Sequence, residues 1–211
     1  MDHHEEEQVE AITRWLKKNG PGIVTGIALG LAAVLTWNVW NRYQANQQEQ
    51  ASALFEAVSQ AVLNRDPAEM QVRSEALFDA HGDSTYADLA RLMLARASLE
   101  QDDVDAAIAY LQQAVDSNDA ELQDVARLRL ARVLISQGQL DEAEQHIDAV
   151  ENLSFTAEQD ELRGDLYLAR DEPERARDAY QAALAALGES ANRTLVEMKL
   201  DSLPSVEREA S

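Results

Sequence analysis

Two arginines are the residues whose type and spacing best support a chemical role. Arg96 and Arg132 close two matching segments, Ala90-Arg-Leu-Met-Leu-Ala-Arg96 and Ala126-Arg-Leu-Arg-Leu-Ala-Arg132, which lie 36 residues apart. Guanidinium groups stacked along one groove present forked donors that match carboxylates. That chemistry is recognition of an acidic group on a partner, not turnover. Pairing with a neighbouring acid, such as Glu100 four residues beyond Arg96, is the commoner arrangement on helices. At this level both readings stay open.

No other set of residues offers a reaction. The four histidines, His3, His4, His81 and His146, have no metal-ligand spacing among themselves, and there is no cysteine. No nucleophile elbow or phosphate-binding loop is present. Acidic pairs such as Glu6-Glu7 and Asp102-Asp103 read as solvated faces. The expectation is a protein that is not an enzyme, with no catalytic residue, no metal and no cofactor.

The elements that must position the arginines come from a repeat. After each matched segment the correspondence continues through Gln101 and Gln137, Val104 and Leu140, Asp105 and Asp141, Ala107 and Ala143. A third copy runs Gly164-Asp-Leu-Tyr-Leu-Ala-Arg170, then a turn, then Ala176, Tyr180 and Ala183. Each copy predicts two amphipathic helices around a tight turn, with small residues 12 positions apart: Ala95 and Ala107, Ala131 and Ala143, Gly164 and Ala176. Small residues there allow close helix packing, and Leu111, Ile147 and Tyr180, four residues further on, fill the gap. One such pair cannot bury its own apolar face, so stability requires a stack, and a stack offers a concave groove lined by the first helix of each pair.

Flanking elements follow from pattern and capping. A helix over Tyr43 to Leu63, with an apolar stripe of Leu54, Phe55, Val58, Val62 and Leu63, ends at Asn64-Arg65-Asp66-Pro67. There Asp66 caps the next helix, Pro67 takes its first position and Glu69 completes a capping box. A last helix over Asn192 to Leu203 closes the stack, and residues 204–211 form a flexible polar tail.

Between Lys18 and Arg42 the chain runs for 23 residues without a charge. About 20 such residues at ~1.5 Å rise span a bilayer core. Residues 21–40 are therefore predicted to be one transmembrane helix, bracketed by Lys17 and Lys18 on one side and Trp37, Trp40 and Tyr43 on the other. Arg14, Lys17 and Lys18 outnumber Arg42 nearby, which places the N-terminus in the cytoplasm and the larger part across the membrane. Gly22, Gly26 and Gly30 share one stripe of this helix. The spacing fits close approach of a second helix, and it also fits the ordinary abundance of glycine in membrane helices. Ahead of it, residues 1–20 form a short amphipathic segment (Val9, Ile12, Trp15, Leu16) expected to end at a glycine cap, Gly20.

The chain has 18 basic and 39 acidic residues, a net charge of −21, so nucleic acid is excluded as a partner. The fold class is all-α: a single N-terminal transmembrane helix and then, over 41–203, a tetratricopeptide-like superhelical stack of helix pairs.

The layout as a whole, with Glu6 to Gly20 before the hydrophobic stretch and Glu197-Met-Lys-Leu-Asp-Ser-Leu203 at the end, resembles the ancillary SecYEG translocon subunit family. The resemblance implies a bacterial inner-membrane protein whose repeat domain lies in the periplasm. It further implies the SecYEG translocon, the membrane-anchored chaperone PpiD and newly exported proteins as partners. A membrane-anchored regulatory adaptor in envelope stress signalling is the alternative.

Overall fold

The computed structural model describes residues 3–188 and 192–204, and of residues 3–11, 16, 21, 23, 24 and 27 the backbone alone. Most of the expected tail, 205–211, and the side chains of Val9 and Leu16 lie outside the described residues. Two units divide the chain at Gln50–Ala51.

The first unit is helical. Helix α1 (His3–Leu63) begins in it and runs through Gly20 without interruption. The expected glycine cap is thus absent: Gly20 keeps a helical backbone, because the residues after it continue the helix and leave no carbonyls to cap. Over its later turns α1 exposes Leu29, Leu31, Val34, Leu35, Trp37, Val39, Trp40 and Tyr43. Among the described residues no helix is long and apolar enough to cross a membrane. Pro21, Ile23, Val24 and Ile27, inside the uncharged stretch, belong to the residues of which only the backbone is described.

The second unit opens with the last turns of α1 and continues through α2 (Pro67–His81), α3 (Thr85–Leu99), α4 (Val104–Val115), α5 (Ala120–Ser136), α6 (Leu140–Asp148), a 3-10 turn (Leu153–Phe155), α7 (Thr156–Ala169), α8 (Pro173–Leu187) and α9 (Arg193–Asp201). The described residues contain helices and turns only. At the start of α2, Asp66 accepts from the Ala68 and Glu69 amides at 3.1 Å each, and Pro67 stands in the first turn. The second half of the expected capping box is missing, since Glu69 pairs with Arg73 one turn along (2.8 Å).

The predicted pairs α3–α4, α5–α6 and α7–α8 all form, and each turn has the same construction. One residue takes a left-handed backbone: Asp102 (φ 60°), Gly138 (φ 74°) and Asp171 (φ 62°). The next amide then donates to the carbonyl five residues back: Asp103 to Ser98 (2.9 Å), Gln139 to Leu134 (2.9 Å) and Glu172 to Tyr167 (2.8 Å). This left-handed cap satisfies carbonyls that the helix end would otherwise orphan. A fourth turn repeats it where the sequence shows no repeat. Arg65 has φ 53°, and the Asp66 amide donates to the Ala61 carbonyl at 3.2 Å. The end of α1 and α2 are therefore a pair of the same kind.

Aligning all four pairs on their turns explains why the first one is hidden. Ala95, Ala107 and Leu111 correspond to Ala131, Ala143 and Ile147, and to Gly164, Ala176 and Tyr180; the corresponding residues of the first pair are Val58, Met70 and Ser74. All twelve are buried. In the first pair the large residues sit where the others are small, and a serine takes the gap-filling place. The pattern of small and large residues is inverted, and all three positions stay buried. Ser74 remains satisfied by donating to the Gln71 carbonyl (3.0 Å). Leu63, expected in the apolar stripe, is 74% exposed, because Ala51 and Ala61 with Val58 make the packing face instead.

A left-handed non-glycine residue costs roughly 1–2 kcal/mol, partly offset by the entropy that glycine adds to the unfolded chain. Arg65→Gly is therefore expected to stabilise the chain by about 0.5–1 kcal/mol, seen as a higher urea midpoint at unchanged slope. An unchanged or lower midpoint contradicts the turn geometry.

Candidate functional site

The first helices of two pairs, α3 and α5, face a common groove of about 760 Å³. Its walls are mainly hydrocarbon: Leu89, Leu92, Met93 and Leu99 from α3, Leu122, Val125 and Val133 from α5, with Leu111 of α4 and Phe55 of α1 completing it. Phe55 packs against Tyr86 with ring centroids 5.8 Å apart. Helical spacing aligns positions three and four apart on one face, which is how the repeat delivers these residues to one side.

Arg96 and Arg132 both line this groove, as their shared repeat position implies. Arg96 is 80% exposed and pairs with Glu100 at 3.0 Å, the local ion pair weighed from the sequence. Arg132 pairs across elements with Glu158 of α7 at 3.1 Å. Exposed pairs of this type contribute only about 0–1 kcal/mol and exchange readily. Arg129, one turn before Arg132, lines the same groove and makes no ion pair with the described residues. The sequence comparison passed over it because its counterpart in the first matched segment is Met93.

The row of cations stops after two repeats. Aligned by its turn, the third pair puts Asp165, not Arg170, in the register of Arg96 and Arg132. The matched segment Gly164–Arg170 is thus shifted by five residues relative to the helix packing. Arg170 lies at the end of α7 and binds Asp141 and Glu144 of α6, each at 2.8 Å. Asp165 instead accepts from the buried Tyr180 hydroxyl (2.7 Å), and Lys199 of α9 donates to both its carboxylate oxygens (2.8 and 2.7 Å) and to Glu161 (2.6 Å). Burial, with Asp165 and Glu161 beside it, pushes the Tyr180 phenol well above the usual tyrosine range. The site at this end is a closed structural joint.

Two buried aspartates hold the first helices to the loops that follow their pairs. Asp88 pairs with Arg91 (2.7 Å) and accepts from the Ser117 hydroxyl (2.6 Å). Asp124 pairs with Arg127 (2.8 Å) and accepts from the Glu151 and Asn152 amides (3.2 and 3.0 Å). The repeated Asp-x-x-Arg at 36-residue spacing was visible in the sequence, but its partners lie 27 to 29 residues away. Asp124→Asn keeps one acceptor and loses the charge. It is expected to cost about 1–2 kcal/mol in chemical unfolding while the far-ultraviolet spectrum is kept.

The glycine stripe of α1 is described at Gly22, Gly26 and Gly30. All three are exposed, with open space where a side chain would project. Among the described residues no cluster of histidine, aspartate and glutamate has the arrangement of a metal site.

Comparison with known proteins agrees with this architecture. The family model for a tetratricopeptide repeat-like domain matches residues 13–205. The chain is similar to the ancillary SecYEG translocon subunit of Escherichia coli (strain K12), 31% identical over 201 residues, covering 95% of this chain and 97% of that one. It resembles the protein of the same description from Haemophilus influenzae equally, 31% over 200 residues and 97% of its length. The Neisseria gonorrhoeae relative is 26% identical over 202 residues. A stack of turn-capped helix pairs, matched along nearly its whole length by these relatives, places the chain in the ancillary SecYEG translocon subunit family, whose fold is tetratricopeptide repeat-like.

Proposed function

We propose that this protein is a non-enzymatic accessory subunit of the SecYEG translocon, anchored in the bacterial inner membrane, that works with the chaperone PpiD in handling newly exported proteins. The observation that carries the reading is similarity over nearly the full chain to proteins described as ancillary SecYEG translocon subunits. Residues 21–40 act as the anchor. Support for this comes from 23 uncharged residues and from the large apolar side chains that α1 exposes between Leu29 and Tyr43. Basic residues at 14, 17 and 18 favour a cytoplasmic N-terminus and a periplasmic helix stack. Gly22, Gly26 and Gly30 give the anchor a face that another membrane helix can approach closely. The α3–α5 groove, with Arg96 and Arg132 on it, is the surface for protein ligands.

The test is affinity purification of the intact chain from native membranes in mild detergent, beside Gly26→Leu and the double variant Arg96→Glu, Arg132→Glu. SecYEG and PpiD are expected with the intact chain. Loss in Gly26→Leu assigns the contact to the anchor, and loss in the double variant assigns it to the groove. Absence of both partners from the intact preparation overturns the proposal.

A further inference from the structure

We infer that the groove between α3 and α5 takes a segment of another polypeptide that is apolar along one side and carries acidic residues, with Arg129 as its principal polar contact. This deepens the reading above, on which it rests, by naming the class of ligand. Three observations point to that chemistry. The groove holds about 760 Å³ and is walled by Leu89, Met93, Leu122 and Val125, which folding leaves open to solvent in part. An exposed apolar concavity of this size fits several side chains of a ligand.

The charge around it is of the opposite sign to the rest of the chain. In a protein of net charge −21, the polar groups on this groove are Arg96, Arg129, Arg132 and Ser136. Among the described residues no carboxylate lines it. A cationic, apolar-walled groove repels basic segments, which the acidic surroundings attract, and it concentrates acidic ones.

The arginines differ in readiness. Arg96 and Arg132 must exchange Glu100 and Glu158 for a ligand carboxylate, whereas Arg129 makes no ion pair with the described residues. It points to the first contact. Arg129 and Arg132 are one helical turn apart, so carboxylates at i and i+3 or i+4 of a helical ligand can reach both. The third repeat cannot extend the row, since Asp165 there carries the wrong sign and is held by Lys199.

The test uses the intact chain in a non-ionic detergent and a fluorescein-labelled synthetic helix. The helix has leucine at every third and fourth position and glutamate on the flanking edge. Two further peptides replace glutamate by glutamine or by lysine. Anisotropy titrations are expected to show saturable binding of the glutamate peptide, at least tenfold weaker binding of the glutamine peptide and none of the lysine peptide. Arg129→Glu is expected to reverse the order of the glutamate and lysine peptides. Val125→Trp, which fills the groove, is expected to weaken the glutamate and glutamine peptides alike. Arg129 is exposed and its variant leaves the core alone, so a folded Arg129→Glu chain that keeps the original order overturns the inference. Equal binding of all three peptides to the parent chain, or no binding of any, overturns it as well. Retained copurification of SecYEG in either outcome leaves the accessory-subunit reading standing, so the two can fail separately.

Discussion

Gly164→Ala is expected to lower the melting temperature of the intact chain by about 8 °C, corresponding to a loss of about 3 kcal/mol at this size. A methyl group at 164 would lie 2.8 Å from Cζ of Tyr180 and closer still to Cε1 and Cδ1. The ring has nowhere to go. It is fully buried, and its hydroxyl is fixed to Asp165 at 2.7 Å. The other pairs show what the cure should be. Alanine occupies this position at Ala95 and Ala131, facing Leu111 and Ile147 in place of tyrosine. Adding Tyr180→Leu to Gly164→Ala should therefore recover part of the loss, although the Asp165 hydrogen bond stays lost. Far-ultraviolet melting of the parent, single and double variants measures both steps. A single variant that melts with the parent, or a double variant worse than the sum of its parts, contradicts this account of the α7–α8 contact.

Lys199→Met is the second large effect. The ammonium group bridges Glu161 and Asp165, with side-chain exposures of 26%, 12% and 22% respectively. Removing the cation leaves two crowded carboxylates without a counter-charge, which costs roughly 3–5 kcal/mol in a fully buried setting. Partial exposure reduces this to about 2 kcal/mol here. The loss falls on the end of the stack, where Lys199 ties α9 to α7 and Val196 and Leu203 are buried with Ala176, Tyr180 and Ala183 of α8. Asp165→Asn in the Lys199→Met background removes one of the stranded charges. A double-mutant cycle in urea should then return a coupling of about 1–2 kcal/mol. A Lys199→Met variant within about 0.5 kcal/mol of the parent would show the joint to be held by its apolar contacts alone. The same contact gives the Met-Lys-Leu sequence near the C-terminus a physical reason: lysine ties the last helix down while Val196, Leu200 and Leu203 pack beneath it.

Much of this molecule is legible from residue order because its contacts are local. The helix pairs, their turns and the facing small residues follow from 3.6-residue periodicity and from a spacing of 12 positions that any tight pair imposes. The match at 36 residues set the register of Arg96 and Arg132, and both line the groove accordingly. A run of 23 uncharged residues stands out without reference to anything else. The tertiary structure decided what depends on volume and on distant partners. It made a fourth pair from the end of α1 and α2, where Val58, Met70 and Ser74 invert the small-and-large pattern and are buried all the same. It kept the register of Gly164, Ala176 and Tyr180 and set aside the letter match ending at Arg170, which runs five residues out of step with it, because the turn at Asp171 and the Tyr180 ring fix how α7 and α8 meet. It brought Asp124 to amides 27 and 28 residues away and Lys199 to carboxylates 34 and 38 residues away. It also turned Arg129 into the groove although the matching segment has methionine there. Sequence periodicity records which face a residue occupies; it holds no record of what stands opposite that face, and that is settled only when the helices pack.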